Sequence, residues 1–209
     1  MGVWFVKSKP VKMIKCSGDV RRNQIVQAAL KIIGKKGVSG LTTAAIAREV
    51  GLSEASLYRH FKNKDEILYA TGKGIGEALK KNIEIAFRTA APPLKKLMHA
   101  FLLHLEYIEN NEGIPRLSFS EELHIGNEQL QKEFLKNISV YSSGLASLIR
   151  EGQRSGAIRK DIDARSSAAM MIGMVLVTVM KWSLSGFSFS LKSEGMKLWK
   201  NFEKCIAPG

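Results

Sequence analysis

Between Thr43 and Lys64 the chain hangs polar side chains on a frame of small and apolar ones, and their spacing decides what they can do. Ile46, Ala47, Val50, Leu52 and Leu57 fall where two short helices must cross closely, and Gly51 sits where the chain must reverse. Ser53, Glu54, Ser56, Tyr58, Arg59 and His60 are left facing outward. The chemistry open to this set is hydrogen bonding to an extended partner. An arginine offers two parallel donors that match guanine O6 and N7, a carboxylate accepts from cytosine N4, and an alanine methyl meets only the thymine methyl. A helix, a tight glycine turn and a second helix also form the arrangement that lays one helix in the DNA major groove, about 12 Å wide. Glu54 has a second reading, because an acid in the first turn stabilises a helix and is repelled by phosphate.

The elements that must hold this set read as helices throughout. Ile25, Ala28, Ala29, Ile32 and Ile33 line one side of a helix over roughly 20–35, closed by Lys35 and Lys36 at the negative end of its dipole. Thr42 and Thr43 start a second helix that ends at Gly51, and Ser53 caps a third that runs to about His60. Asn63 caps a longer helix over 64–89, with Gly72, Gly74 and Gly76 weakening its middle. Ala91-Pro92-Pro93 stops it, and Pro93 opens the next helix. Further helices are predicted over 115–125, 127–153, 163–185 and 190–206, with no competing strand pattern. The fold class is all-α: a basic arm at 1–18, a helix-turn-helix domain at 19–66, and a larger helical effector-binding and dimerisation domain at 67–209.

Composition excludes several classes. With 209 residues, 45% of them apolar, the chain can fill a real core. The 32 Lys and Arg against 19 Asp and Glu leave a net charge of +13, which points to an anionic partner. Residues 1–70 hold 13 basic and 5 acidic side chains, a net of +8, against +5 over residues 71–209. The arm, with Lys7, Lys9, Lys12 and Lys15, can track DNA or be an idle tail. Cys16 and Cys205 form no paired or metal-binding pattern, so a reducing cytoplasm fits. No membrane partner is expected, because the apolar stretch at 168–180 falls short of the 18 or so residues that span a bilayer. Gly-rich phosphate loops and GxSxG elbows are absent, and His99 and His104, five apart, do not share a helix face. Neither an enzyme, a cofactor nor a metal is expected.

The stretch GLTTAAIAREVGLSEASLYRHFKNKDEIL resembles the DNA-binding signature of the tetracycline-repressor (TetR) family of transcriptional regulators almost throughout. With the first helix, the match covers roughly residues 20–70; beyond it the likeness is one of architecture. The resemblance implies a homodimer that blocks promoters and lets go when a small molecule enters the larger domain. It assigns phosphate or backbone contacts to Thr43, Tyr58, His60 and Lys64, and base-edge or nearby phosphate contacts to Ser53, Glu54, Ala55, Ser56 and Arg59. The competing class is a basic helical protein that binds nucleic acid without sequence choice, as an architectural factor.

For a small apolar or amphipathic effector, the wall candidates are Leu97, Phe101, His104, Leu105, Ile108, Phe119, Leu123, Phe134, Ile138, Tyr141, Met170 and Met174. The same aromatic and methionine stripes would serve an ordinary core. Residues 166–185 are apolar around most of the helix, more than one small bundle can cover. A second copy would supply the cover through Ile172, Val175, Val179, Leu191, Leu198, Trp199, Phe202 and Ile206, in a two-fold four-helix interface, the alternative being packing within one chain.

Overall fold

A computed structural model describes residues 18–208, so all of the basic arm but Gly18 lies outside the described residues. The described chain holds α1 (Gly18–Lys36), α2 (Thr43–Val50), α3 (Glu54–Tyr58), α4 (Lys64–Arg88), α5 (Pro93–Glu109), α6 (Gly113–Ser118), α7 (Glu128–Ser155), α8 (Ala164–Leu184) and α9 (Leu191–Ile206). A π-helical turn, Glu122–Gly126, stands between α6 and α7.

Side-chain caps set the starts. Thr42 Oγ1 accepts from the Ala45 amide at 3.1 Å, Ser53 Oγ from Ser56 at 3.2 Å, and Asn63 Oδ1 from Glu66 at 2.9 Å. Gly51 ends α2 in the left-handed region at φ 67°, which lets the Leu52 amide fold back onto the Ala47 carbonyl at 2.8 Å. The single helix predicted over 115–125 is instead two pieces. Ser120 Oγ donates to the Leu117 carbonyl at 2.8 Å and accepts from the Leu123 amide at 3.3 Å, so a hydroxyl replaces the helical partners and α6 ends early. α3 also stops at Tyr58 rather than near His60, because the His60 and Phe61 amides both turn back to the Leu57 carbonyl.

The first four helices close on Ile25, Ile33, Ile46, Leu57, Phe61 and Leu68, all buried. Burying each of these large side chains contributes about 1.5–3 kcal/mol. Arg22 staples this group from outside. Its guanidinium lies 3.9 Å from the centre of the Phe61 ring, reaches Glu66 Oε1 at 3.1 Å and donates to the His60 carbonyl. Glu66 also accepts from the Lys62 amide at 2.7 Å. That amide first, and Arg22 after it, hold the Glu66 carboxyl below the ordinary value of 4.5. α1 and the α3–α4 turn are thereby one unit.

The remaining helices form a bundle. α7 packs along α4, where Gly72 and Gly76 make room for it: a Cβ at Gly76 would stand 1.9 Å from Asn137 Oδ1, and Asn137 Nδ2 donates to the Gly72 carbonyl at 2.9 Å. These glycines, read from the sequence as a weak middle, are a docking notch in an unbroken helix. α4 itself runs straight across the boundary expected at residues 66 and 67. Among the described residues α8 alone is long and apolar enough to cross a bilayer. It extends to 21 residues, so length does not exclude a span; its Ala168, Met171, Val175, Val179 and Trp182 are nonetheless built into the core.

α6 meets α1 backbone to backbone. A Cβ at Gly113 would stand 2.1 Å from the Leu30 carbonyl oxygen. Gly113→Ala is therefore expected to lower stability by about 1–3 kcal/mol, whereas Gly74→Ala, which meets nothing nearer than Val26 Cγ1 at 3.7 Å, should raise it by about 0.5–1 kcal/mol. Thermal melts giving the two variants the same sign would show that α6 does not press on α1. Glu66→Gln should cost about 1 kcal/mol at pH 7. Because the folded pKa is depressed, that contribution is fully present above the unfolded value and is lost as pH falls through the folded one, so the gap to wild type should narrow as pH falls below the ordinary value of 4.5. A gap unchanged between pH 7 and pH 3 would remove the ionised staple.

Candidate nucleic-acid interface and ligand cavity

The cap at Ser53 and the buried Leu57 fix which way α3 faces. Ser53, Glu54, Ala55 and Arg59 are exposed, Tyr58 is 51% exposed despite its size, and Thr43, Ser56, His60 and Lys64 are half-buried beside them. An exposed tyrosine on so small a domain has no packing role to explain it. The nine sequence-predicted positions fall at the start of α2, at the cap and along α3, in the turn after it, and at the start of α4.

Within that face the polar groups are already tied. Thr43 Oγ1 donates to Glu54 Oε2 at 2.8 Å, and Arg59 Nη2 donates to Ser56 Oγ at 2.8 Å, while Ser53 and Ser56 hydroxyls pair at 3.1 Å. Glu54 thus bridges the starts of α2 and α3, a role neither sequence reading of it contained. Any contact of Arg59 with a base exchanges one hydrogen bond for another. Arg22, absent from the sequence-predicted set, holds the turn that carries His60 and leads into Lys64. The signal was present: Arg22 stands three and seven residues before Ile25 and Ala29, on the buried stripe of its helix.

A cavity of about 470 Å³ lies between α4, α5, α6, the π-turn, α7 and α8, within the size range of small-molecule sites. Of the predicted wall, His104, Ile108, Phe119, Leu123, Phe134, Ile138 and Tyr141 line it. Leu97, Phe101 and Leu105 do not. They share the apolar stripe of α5, but the stripe is wider than the cavity, and its other edge faces α9: Phe101 lies 6.2 Å from the Trp199 ring, and Gly195 leaves room for Leu105. Met170 points to solvent and Met174 packs half-buried on the core. Ile75, Leu79, Ile114, Pro115 and Leu176 complete the wall without having been singled out.

The predicted interface residues are placed inside their own chain. Leu191, Trp199, Phe202 and Ile206 are buried, with Trp199 and Phe202 rings 5.9 Å apart, and Leu198 is half-buried. Ile172, Val175 and Val179 line the cavity. A helix apolar on every side gives no period from which to read its outer face, which is why α8 misled. The outer face is Met170, Leu176, Val177, Met180 and Leu184, all exposed.

No Lys, Arg, Asp or Glu is among the residues lining the cavity. Glu122 on the π-turn, next in sequence to the wall residue Leu123, pairs with Lys64 at the start of α4 at 3.8 Å. α6 gives the cavity Ile114, Pro115 and Ser118, and at its first residue it abuts α1. Two routes thus run from the cavity wall to the exposed face, one through α6 and α1 and one through the π-turn and Lys64.

Comparison with known proteins places this geometry. Residues 25–71 match the family described as bacterial regulatory proteins, tetR family, and residues 74–202 match the YsiA-like protein C-terminal region. Over 170 residues, 81% of this chain and 87% of the relative, the chain is 28% identical to the nucleoid occlusion factor SlmA of Vibrio cholerae. The fold is similar to the fatty acid degradation regulator FadR from Bacillus halodurans, with a TM-score of 0.78 and 19% identity, covering 95% of this chain and 97% of that one. It is also similar to the transcriptional regulator FadR from Bacillus subtilis in complex with stearoyl-CoA, with a TM-score of 0.74 and 23% identity, covering 86% and 96%. With the helix-turn-helix and the helical domain matched in register along the chain, this protein belongs to the TetR family of DNA-binding transcriptional regulators.

Proposed function

We propose that the protein is a dimeric, sequence-specific repressor that acts on cytoplasmic DNA and is released when a small apolar or amphipathic molecule fills the cavity. The observation that carries this reading is the unbroken path of packed backbone from the cavity wall through α6 to α1, and from α1 through Arg22 to the turn after α3. Residues 19–66 serve as the DNA-binding part and residues 67–209 as the effector-binding and dimerising part, with α4 shared between them. Thr43, Tyr58, His60 and Lys64 anchor the phosphate backbone, and Ser53, Glu54, Ala55, Ser56 and Arg59 meet base edges or nearby phosphates.

The second copy sits on the outer face of α8. Met170, Val177, Met180 and Leu184 recur at helical spacing and are exposed, Leu184 by 79%, and a continuous apolar stripe of this kind marks a protein contact. Two recognition helices must enter one face of the duplex about 34–36 Å apart, or a multiple of that, so a small rotation of each α1–α4 unit is enough to break binding. The stearoyl-CoA of the Bacillus subtilis relative suggests the kind of effector: an alkyl chain inside the uncharged cavity, with any charged head outside the rim formed by Phe119, Leu135, Ile138 and Leu176.

Lys64→Ala should weaken binding to every duplex and make the dependence of log affinity on log salt shallower by about one. Glu122→Gln, which frees the same lysine, should tighten binding about twofold to fivefold. Unchanged affinity and slope in a folded Lys64→Ala protein would remove the phosphate-anchor role. Stearoyl-CoA titrated into the complex with a bound duplex should lower its fluorescence anisotropy to that of free DNA, and no release at saturating concentration would speak against an acyl effector. Binding that excess random DNA competes away completely would favour the non-specific architectural reading instead.

A further inference from the structure

His104 stands apart in the cavity wall. It is 8% exposed, and its Nδ1 is closed off without a hydrogen-bond partner. Burial lowers its pKa to about 4, so the ring is neutral at physiological pH and carries one N–H. Its neighbour Tyr141, whose ring meets the imidazole edge-on at 4.7 Å between centres, has its hydroxyl committed to the Ala100 carbonyl at 3.3 Å. Asn137, also in the wall, spends an amide proton on the Gly72 carbonyl. Ser118 and Gln131 are half-buried and His124 is exposed, so His104 is the buried polar side chain of the wall whose ring is left without a hydrogen-bond partner.

The position of its proton follows from the cost of stranding one. Buried N–H groups without an acceptor are rarer than buried acceptors without a donor. Nδ1 faces no acceptor, so the proton belongs on Nε2, which is not among the closed-off atoms of a ring that lines the cavity. The wall thus holds one buried, uncharged donor on His104, with Ser118, His124, Gln131 and Asn137 as its other polar side chains besides Tyr141 and no Lys or Arg in its lining to receive a carboxylate.

Building on the effector reading above, we propose that His104 is the specificity-determining residue of the cavity, and that it selects an apolar molecule carrying an uncharged acceptor oxygen, such as a keto, ester or thioester carbonyl, over a plain hydrocarbon of equal length. A plain chain drives water from the imidazole and leaves the donor unmet; a carbonyl replaces that water's bond.

The test uses the full-length protein and displacement of the neutral fluorophore N-phenyl-1-naphthylamine. Wild type should bind 2-tridecanone about 3- to 10-fold more tightly than n-tridecane, the range one hydrogen bond supplies. His104→Leu should bind both alike, with tridecane affinity at or above that of wild type. His104→Gln, which restores a donor, should recover part of the preference, and it keeps the comparison open should the leucine variant fold poorly. Equal binding of ketone and hydrocarbon by wild type, or a preference that survives in His104→Leu, overturns the assignment while leaving the effector reading standing. Displacement by neither compound overturns both.

Discussion

The Leu30 carbonyl of α1 and the Gly113 backbone of α6 approach so closely that no side-chain atom fits between them. A contact of this kind cannot be taken up by a rotamer change. If α6 moves, α1 moves, and α1 carries the buried face of the helix-turn-helix and the Arg22 staple on the turn below it. α6 also meets the cavity directly, because Ile114, Pro115 and Ser118 are wall. Close-packed interiors transmit displacement and do not absorb it, and the proposed release of DNA by a ligand rests on that property.

Charge is distributed to suit the two jobs. No Lys, Arg, Asp or Glu lines the cavity, while the first seventy residues carry most of the excess charge of the chain. Lys64 sits at the join, paired with Glu122 from the cavity side and placed at the start of α4 on the face with Tyr58. On the proposed reading a phosphate and Glu122 would compete for the same ammonium group, which would make the π-turn a second point at which cavity and DNA share a residue.

Where local chemistry decides structure, the sequence was legible. Thr42, Ser53 and Asn63 are caps because their oxygens satisfy helix-start amides, and Gly51 turns because it tolerates positive φ; each is visible in a single residue and its neighbours. The outward set on α3 follows from the burial of Leu57 and Phe61. Legibility failed where tertiary partners decide. α5 has one stripe but two neighbours, so Phe101 and Leu105 meet α9 while His104 and Ile108 meet the cavity. α8 is apolar on all sides, and its inner and outer faces could not be told apart. Gly72 and Gly76 read as helix weakness because the α7 side chains that need their space lie some sixty residues on.

The central claim is that two copies of the Ser53–Arg59 face read one duplex together. Selection of random-sequence duplexes by the full-length protein, followed by sequencing, tests it most directly. An enriched inverted repeat is expected, with half-site centres one helical turn or a whole number of turns apart. Enrichment of no sequence, or of a single unrepeated half-site, would contradict it.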